Sequence, residues 1–143
     1  MAKVVARATT RVAASPDQVL AFLRDYQARA QIYTSNYTAY TVEEGGEGAG
    51  TVIGYHFAAG GRERDYRLHV EESDGVLTER DELSSFVTKW TLAPATSGTA
   101  VTIESSWDGA GGVGGIFEGL FAPLGLKRIY GEMLGKLAAA VPA

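Results

Sequence analysis

The first apolar and polar alternation in the chain, "KVVARATTRV", is rich in β-branched residues and reads as a strand. The period then changes. In "SPDQVLAFLRDY" the apolar residues Val19, Leu20, Phe22 and Leu23 gather on one side of a helix. Ser15 is placed to cap that helix, Pro16 suits its first position, and Asp17 favours the positive end of its dipole. A second short helix is expected through "QARAQI". From Asn36 to Trp107 the period is two, in strands divided by the turn segments "GGEGAG", "AAGG", "ESDG", "SS" and "PATSG". A last helical segment runs from Ile116 to about Val141, bent near Pro123. The order is β-αα-β6-α, and strands joined by such short turns make an antiparallel sheet.

Alternation also assigns faces. In "RERDYRLHVE", Arg62, Arg64, Tyr66, Leu68 and Val70 share one face, while Glu63, Asp65, Arg67, His69 and Glu71 share the other and must meet water. The inward sets of the other strands are Ile53, Tyr55 and Phe57, then Phe86, Thr88, Trp90 and Leu92, then Val101, Ile103, Ser105 and Trp107. Two-residue loops at Ala59-Gly60 and Thr96-Ser97 set Tyr55 opposite Arg64, Ile53 opposite Tyr66, Trp90 opposite Ile103 and Thr88 opposite Ser105. The same register puts His56 opposite Glu63 and His69 opposite Gly50.

The segment "VLTERDEL" is polar on both faces. Turns at Ser73-Asp74 and Ser84-Ser85 bring Leu77, Glu79, Asp81 and Leu83 inward; either loop one residue longer reverses that. On the inward choice a polar row crosses the interior: Tyr66, Asp81, Thr88 and Ser105, with Arg64 and Tyr55 one rung nearer the mouth. A carboxylate there needs a partner, and Arg64, Tyr66 and Thr88 are the nearest groups.

Composition narrows the chemistry. The chain has 143 residues, read as one domain over 1–143, with a net charge of −4 and a pI near 5.2. It has no basic field to attract nucleic acid or an anionic membrane. There is no cysteine, no signal-like apolar run and no apolar stretch of membrane-helix length, so the expected location is the cytoplasm. Gly109, Gly111 and Gly114 spell G-x-G-x-x-G, but the chain beyond them is helical in pattern and no strand remains to close a βαβ unit. The segment Gly109–Gly115 reads instead as a connection that gates the last helix. His56 and His69 both fall on the outer face, so no metal site is expected. No Gly-x-Ser-x-Gly elbow is present.

The stretches "VAASPDQVLAFLRDY" after the first strand and "WTLAPATSGTAVTIESSW" in the last hairpin resemble the START-like, helix-grip superfamily. So does the glycine-rich loop into a C-terminal amphipathic helix. Within that superfamily the chain is most similar to the polyketide cyclase/dehydrase and lipid-transport family, with a departure at "QIYTSNY". The resemblance implies an α+β fold: a curved antiparallel sheet of about seven strands gripping a long C-terminal helix, two short helices after strand one, and a ligand cavity between sheet and helix. The inward residues Ile53, Tyr55, Phe57, Tyr66, Leu68, Phe86, Thr88, Trp90, Ile103, Ser105 and Trp107 then become ligand-binding candidates. Phe117, Phe121 and Leu124 join them from the start of the last helix.

Two function classes are open to such a chain. One is a protein that binds a hydrophobic small molecule, such as a lipid, a polyketide or a related aromatic. The other is an aromatase/cyclase or dehydratase acting in the same cavity, with Asp81, Glu79, Tyr66 and Arg64 as candidates for moving protons. Neither implies a cofactor. A third class is an interaction scaffold whose interior is filled by its own side chains.

Overall fold

The computed structural model describes residues 3–108 and 123–143. Seven strands form one antiparallel sheet: β1 (Lys3–Val12), β2 (Tyr37–Glu44), β3 (Val52–Ala59), β4 (Arg62–Ser73), β5 (Val76–Asp81), β6 (Val87–Pro94) and β7 (Thr99–Asp108). Their order is β1-β7-β6-β5-β4-β3-β2, so the chain meanders hairpin by hairpin from β2 to β7 and β1 closes against β7. Between β1 and β2 lie α1 (Pro16–Arg24) and a 3-10 helix (Ala28–Ile32). The C-terminal helix, α2 (Pro123–Ala140), packs against β1 and the 3-10 helix. This is the helix-grip arrangement. No helix among the described residues is long and apolar enough to cross a membrane.

Local chemistry starts α1 where the sequence predicts. The Ser15 hydroxyl accepts from the Gln18 N–H (3.3 Å) and the Gln18 side chain accepts from the Ser15 N–H (3.0 Å), a reciprocal capping box. Val19 and Leu23 are buried, with Leu20 and Phe22 packed partly against the core.

The β6–β7 hairpin has the expected register, with Trp90 opposite Ile103 and Thr88 opposite Ser105. Three other hairpins are shifted by two residues from expectation; in β5–β6 the strand ends at Asp81 and a longer connection to Val87 replaces the two-residue turn at Ser84-Ser85. The β3–β4 turn centres on Gly60-Gly61, with φ of 61° and 79°, and so places Tyr55 opposite Tyr66 and Ile53 opposite Leu68. A tight hairpin turn wants positive φ at both central positions, which two glycines supply and Ala59 would resist. For the same reason the β4–β5 turn centres on Asp74-Gly75 rather than Ser73-Asp74. His56 therefore lies opposite Asp65, and His69 opposite Val52.

A shift of two keeps every side chain on its face, because the strand period is two. Leu77, Glu79 and Asp81 are buried as the inward choice requires. Leu83 is not: it sits in the β5–β6 loop beyond the end of β5 and is 80% exposed. The polar row also changes membership. Asp81 lies opposite Leu68, and Glu79 takes the rung that faces Thr88 and then Ser105.

On α2 the buried residues are Leu126, Ile129, Tyr130, Met133, Leu134 and Leu137, spaced as one helical stripe. Leu124 falls outside that stripe and is 79% exposed, so it turns away from the interior it was expected to line. Phe117, Phe121 and the glycine segment 109–115 lie outside the described residues.

Candidate functional site

Three polar groupings occupy the concave side, and they differ in how completely their atoms are paired. The first is built around Glu79. The Arg29 guanidinium donates to its carboxylate, and the two side chains are 0% and 3% exposed. The Tyr26 hydroxyl donates to the same carboxylate at 2.7 Å and the Trp90 indole N–H at 3.4 Å. Arg29 also donates to the Leu23 carbonyl (2.8 Å) and to the Tyr26 and Tyr33 hydroxyls, and its guanidinium carbon lies 4.6 Å from the ring centres of both Tyr26 and Trp90. Burial works most strongly on the Arg29 charge and against it, but the Glu79 carboxylate and the neighbouring tyrosines together outweigh it and hold the pKa raised. Burial, reinforced by Glu79, likewise raises the Tyr26 phenol.

The second grouping is the Asp81 carboxylate. It accepts from the Arg64 guanidinium, from the Ser84 hydroxyl (2.7 Å) and from the Arg67 backbone N–H (3.2 Å). Arg64 rests on Tyr66, 4.2 Å from the ring centre. Arg64 thus pairs with Asp81 as expected, but from two rungs along β4 rather than from the diagonal position, because Asp81 lies opposite Leu68.

The third is a hydroxyl chain, Thr88 to Ser105 to Tyr130, which ties β6 and β7 to α2. Tyr130 also lines a small cavity together with Tyr37, Tyr55, Phe57, Tyr66, Phe86 and Leu126. The free volume there is about 10 Å³, close to the room one water needs. The walls are aromatic and continuous. Ring centres step from Tyr33 to Tyr37 (4.8 Å), Tyr37 to Tyr55 (5.0 Å), Tyr55 to Tyr66 (5.4 Å), Tyr66 to Phe86 (5.1 Å) and Phe86 to Trp107 (5.9 Å).

The Tyr37 and Tyr55 hydroxyls make no hydrogen bond among the described residues. No fully enclosed side-chain N or O atom there is left without a partner either. Both hydroxyls must therefore border open space, and both tyrosines line the cavity. Burial, followed by the neighbouring tyrosines, pushes the Tyr55 phenol well above its usual pKa and keeps it neutral.

Of the residues the sequence proposes for the site, Tyr55, Phe57, Tyr66 and Phe86 line this cavity. Ile53, Leu68, Thr88, Trp90, Ile103, Ser105 and Trp107 are buried around it as core. The two histidines are on the convex face among carboxylates: His56 bonds Asp65 (2.6 Å) and Glu63 (2.8 Å), and His69 bonds Glu82 (3.0 Å). Sequence reasoning missed Arg29, Tyr37 and Tyr130. The signal for Arg29 was available, since a buried Glu79 demands a cation, but only sheet residues were candidates. Tyr37 lies in "QIYTSNY", where the resemblance breaks down, and Tyr130 lies on the helix among apolar residues that hide it.

Similarity to known proteins agrees with this architecture. The solution structure of the KanY protein is 44% identical, with 99% of each chain covered and a TM-score of 0.88. An aromatase/cyclase, Zhui, from a Streptomyces species superposes with a TM-score of 0.76 at 17% identity, over 98% of this chain and 94% of that one. A major latex-like protein from Panax ginseng does so with 0.72 at 13%, over 97% of each. At those identities the last two speak for the fold alone. Among curated protein sequences no match was found. Residues 2–142 match the profile of the family described as polyketide cyclase / dehydrase and lipid transport, and the chain belongs to that family.

Proposed function

We propose that this protein binds a hydrophobic small molecule, a lipid or an aromatic compound, between the sheet and α2. The observation that carries this reading is the aromatic wall of Tyr37, Tyr55, Phe57, Tyr66 and Phe86 around a cavity, where the Tyr37 and Tyr55 hydroxyls have no hydrogen-bond partner among the described residues. Mostly apolar walls with a few placed polar groups are how small-molecule sites are composed. With about 10 Å³ free, a ligand enters only as the lining rings and α2 move apart.

The binding reading is preferred to a cyclase or dehydratase for one reason. A general base must reach its proton, and neither buried carboxylate is open to do so. Glu79 is enclosed by Arg29, Tyr26 and Trp90, and Asp81 by Arg64, Ser84 and the Arg67 N–H. Two measurements test binding. Native mass spectrometry of protein purified from its own host should detect a co-purifying small molecule. An apolar fluorescent probe should bind near-stoichiometrically and be displaced by aromatic or lipid ligands. No adduct and no probe binding would end this reading.

A further inference from the structure

We infer that the cavity selects an uncharged ligand through an acceptor oxygen, a ketone or similar carbonyl, which takes hydrogen bonds from the Tyr37 and Tyr55 phenols. This deepens the binding reading above and rests on it. Tyr55 is 8% exposed, and its hydroxyl has no partner among the described residues. A buried hydroxyl left in that condition costs free energy, so the site is complete only when something supplies the missing acceptor. Tyr37 stands in the same position on the same cavity, its ring 5.0 Å from that of Tyr55 and nearly perpendicular to it.

A carbonyl oxygen has two lone pairs and can satisfy two donors, whereas a ligand hydroxyl brings a competing proton. The free volume of about 10 Å³ beside these phenols is the size of one oxygen-centred group, so a ligand oxygen takes the place a single water would fill. A ligand group that reproduces a water's hydrogen bonds keeps their value, and an apolar group in that place forfeits it.

Charge points the same way. Among the described residues lining the cavity none has a cationic side chain. The nearby arginines are engaged by carboxylates, Arg29 by Glu79 and Arg64 by Asp81. A ligand carboxylate would shed its hydration and meet phenols only, an exchange that does not replace what it loses. Burial also raises the phenols' pKa, which keeps them as donors across the physiological range.

The test is a matched ligand series measured by displacement of a bound apolar fluorophore: 1-tetralone, its hydrocarbon tetralin, its alcohol 1-tetralol, and the anion of 1-tetralincarboxylic acid. Tetralone should bind roughly tenfold tighter than tetralin, as expected for one to two net hydrogen bonds. The carboxylate should bind worst. In Tyr37→Phe/Tyr55→Phe the tetralone advantage should vanish while tetralin affinity stays unchanged. Equal binding of tetralone and tetralin to the wild-type protein overturns the proposal and leaves the binding reading standing. So does tightest binding by the alcohol or the carboxylate, or an equal loss for both ligands in the double variant. If no member of the series displaces the fluorophore and no fluorophore binds, the cavity reading itself fails and takes this proposal with it. The wild-type ranking needs no variant, so misfolding of the double substitution would not obscure the result.

Discussion

The concave side of the sheet holds two polar regions of opposite character. Around Glu79 the polar side chains pair with one another: Arg29, Tyr26 and Trp90 converge on one carboxylate, and Arg29 also donates to Leu23, Tyr26 and Tyr33. Around the cavity, Tyr55 is buried and Tyr37 half-buried among rings, and their hydroxyls have no hydrogen-bond partner among the described residues. The energetic cost of burying a polar group is similar in kind in both places, yet only one region recovers it internally. A closed network is a device for holding the fold. An open one is completed by a ligand. Polarity inside a grip-like sheet therefore does not mark a site by itself; unsatisfied polarity does.

The sharpest way to break this comparison is to remove Arg29. In Arg29→Leu the Glu79 carboxylate is left in the core without its cation, a change that costs about 3–5 kcal/mol, and urea denaturation should show a loss of that order. Adding Glu79→Leu should recover most of it, since an apolar pair of similar volume can replace a buried ion pair. A loss below about 1 kcal/mol in the single variant would mean that the pair does not hold the fold.

The cavity side should respond much less. Tyr55→Phe deletes a hydroxyl with no hydrogen-bond partner among the described residues, so the denaturation midpoint of the unliganded protein should stay level or rise slightly. A clear drop in stability would show that the hydroxyl is satisfied in solution, and the two regions would then be alike.

The smallest effect belongs to the convex face and serves as a contrast to both. The pKa of His56 is raised, chiefly by its hydrogen bond to Asp65 and then by Glu63. A raised folded-state value means its contribution is fully present below the ordinary histidine pKa of about 6.5 and is lost as pH rises through the folded value. The melting temperature of the wild-type protein should therefore fall slightly relative to His56→Gln as pH is raised above about 6.5. Parallel curves would show that this exposed cluster contributes nothing.

Much of the fold was readable because its signals are local. Strand alternation sorted Tyr66, Leu68, Trp90 and Ile103 inward, and Ser15, Pro16 and Gln18 mark the start of α1 by chemistry confined to one turn. Registers were less secure. The β3–β4 and β4–β5 pairings moved by two residues, because glycine tolerance of positive φ chose Gly60-Gly61 and Asp74-Gly75 as turn centres. The faces survived that error, since they depend only on parity. The row of polar groups did not: β5–β6 also moved by two, since the connection after Asp81 is longer than a Ser84-Ser85 turn, and Glu79 replaced Asp81 opposite Thr88.

What the amino-acid sequence determined by itself is thus the order of elements, the inward face of each strand and the aromatic character of the interior. Tertiary structure alone decided which polar groups meet. Arg29 reaches Glu79 across 50 positions of chain, because the 3-10 helix that carries it comes within reach of β5 and β6 only after the sheet has closed around it. Tyr130 meets Ser105 because α2 folds back against β1, the neighbour of β7 in the sheet. The same packing leaves the Tyr37 and Tyr55 hydroxyls without a hydrogen-bond partner among the described residues. Hydrogen-bond partnership depends on where whole elements dock, and no period along the chain encodes it.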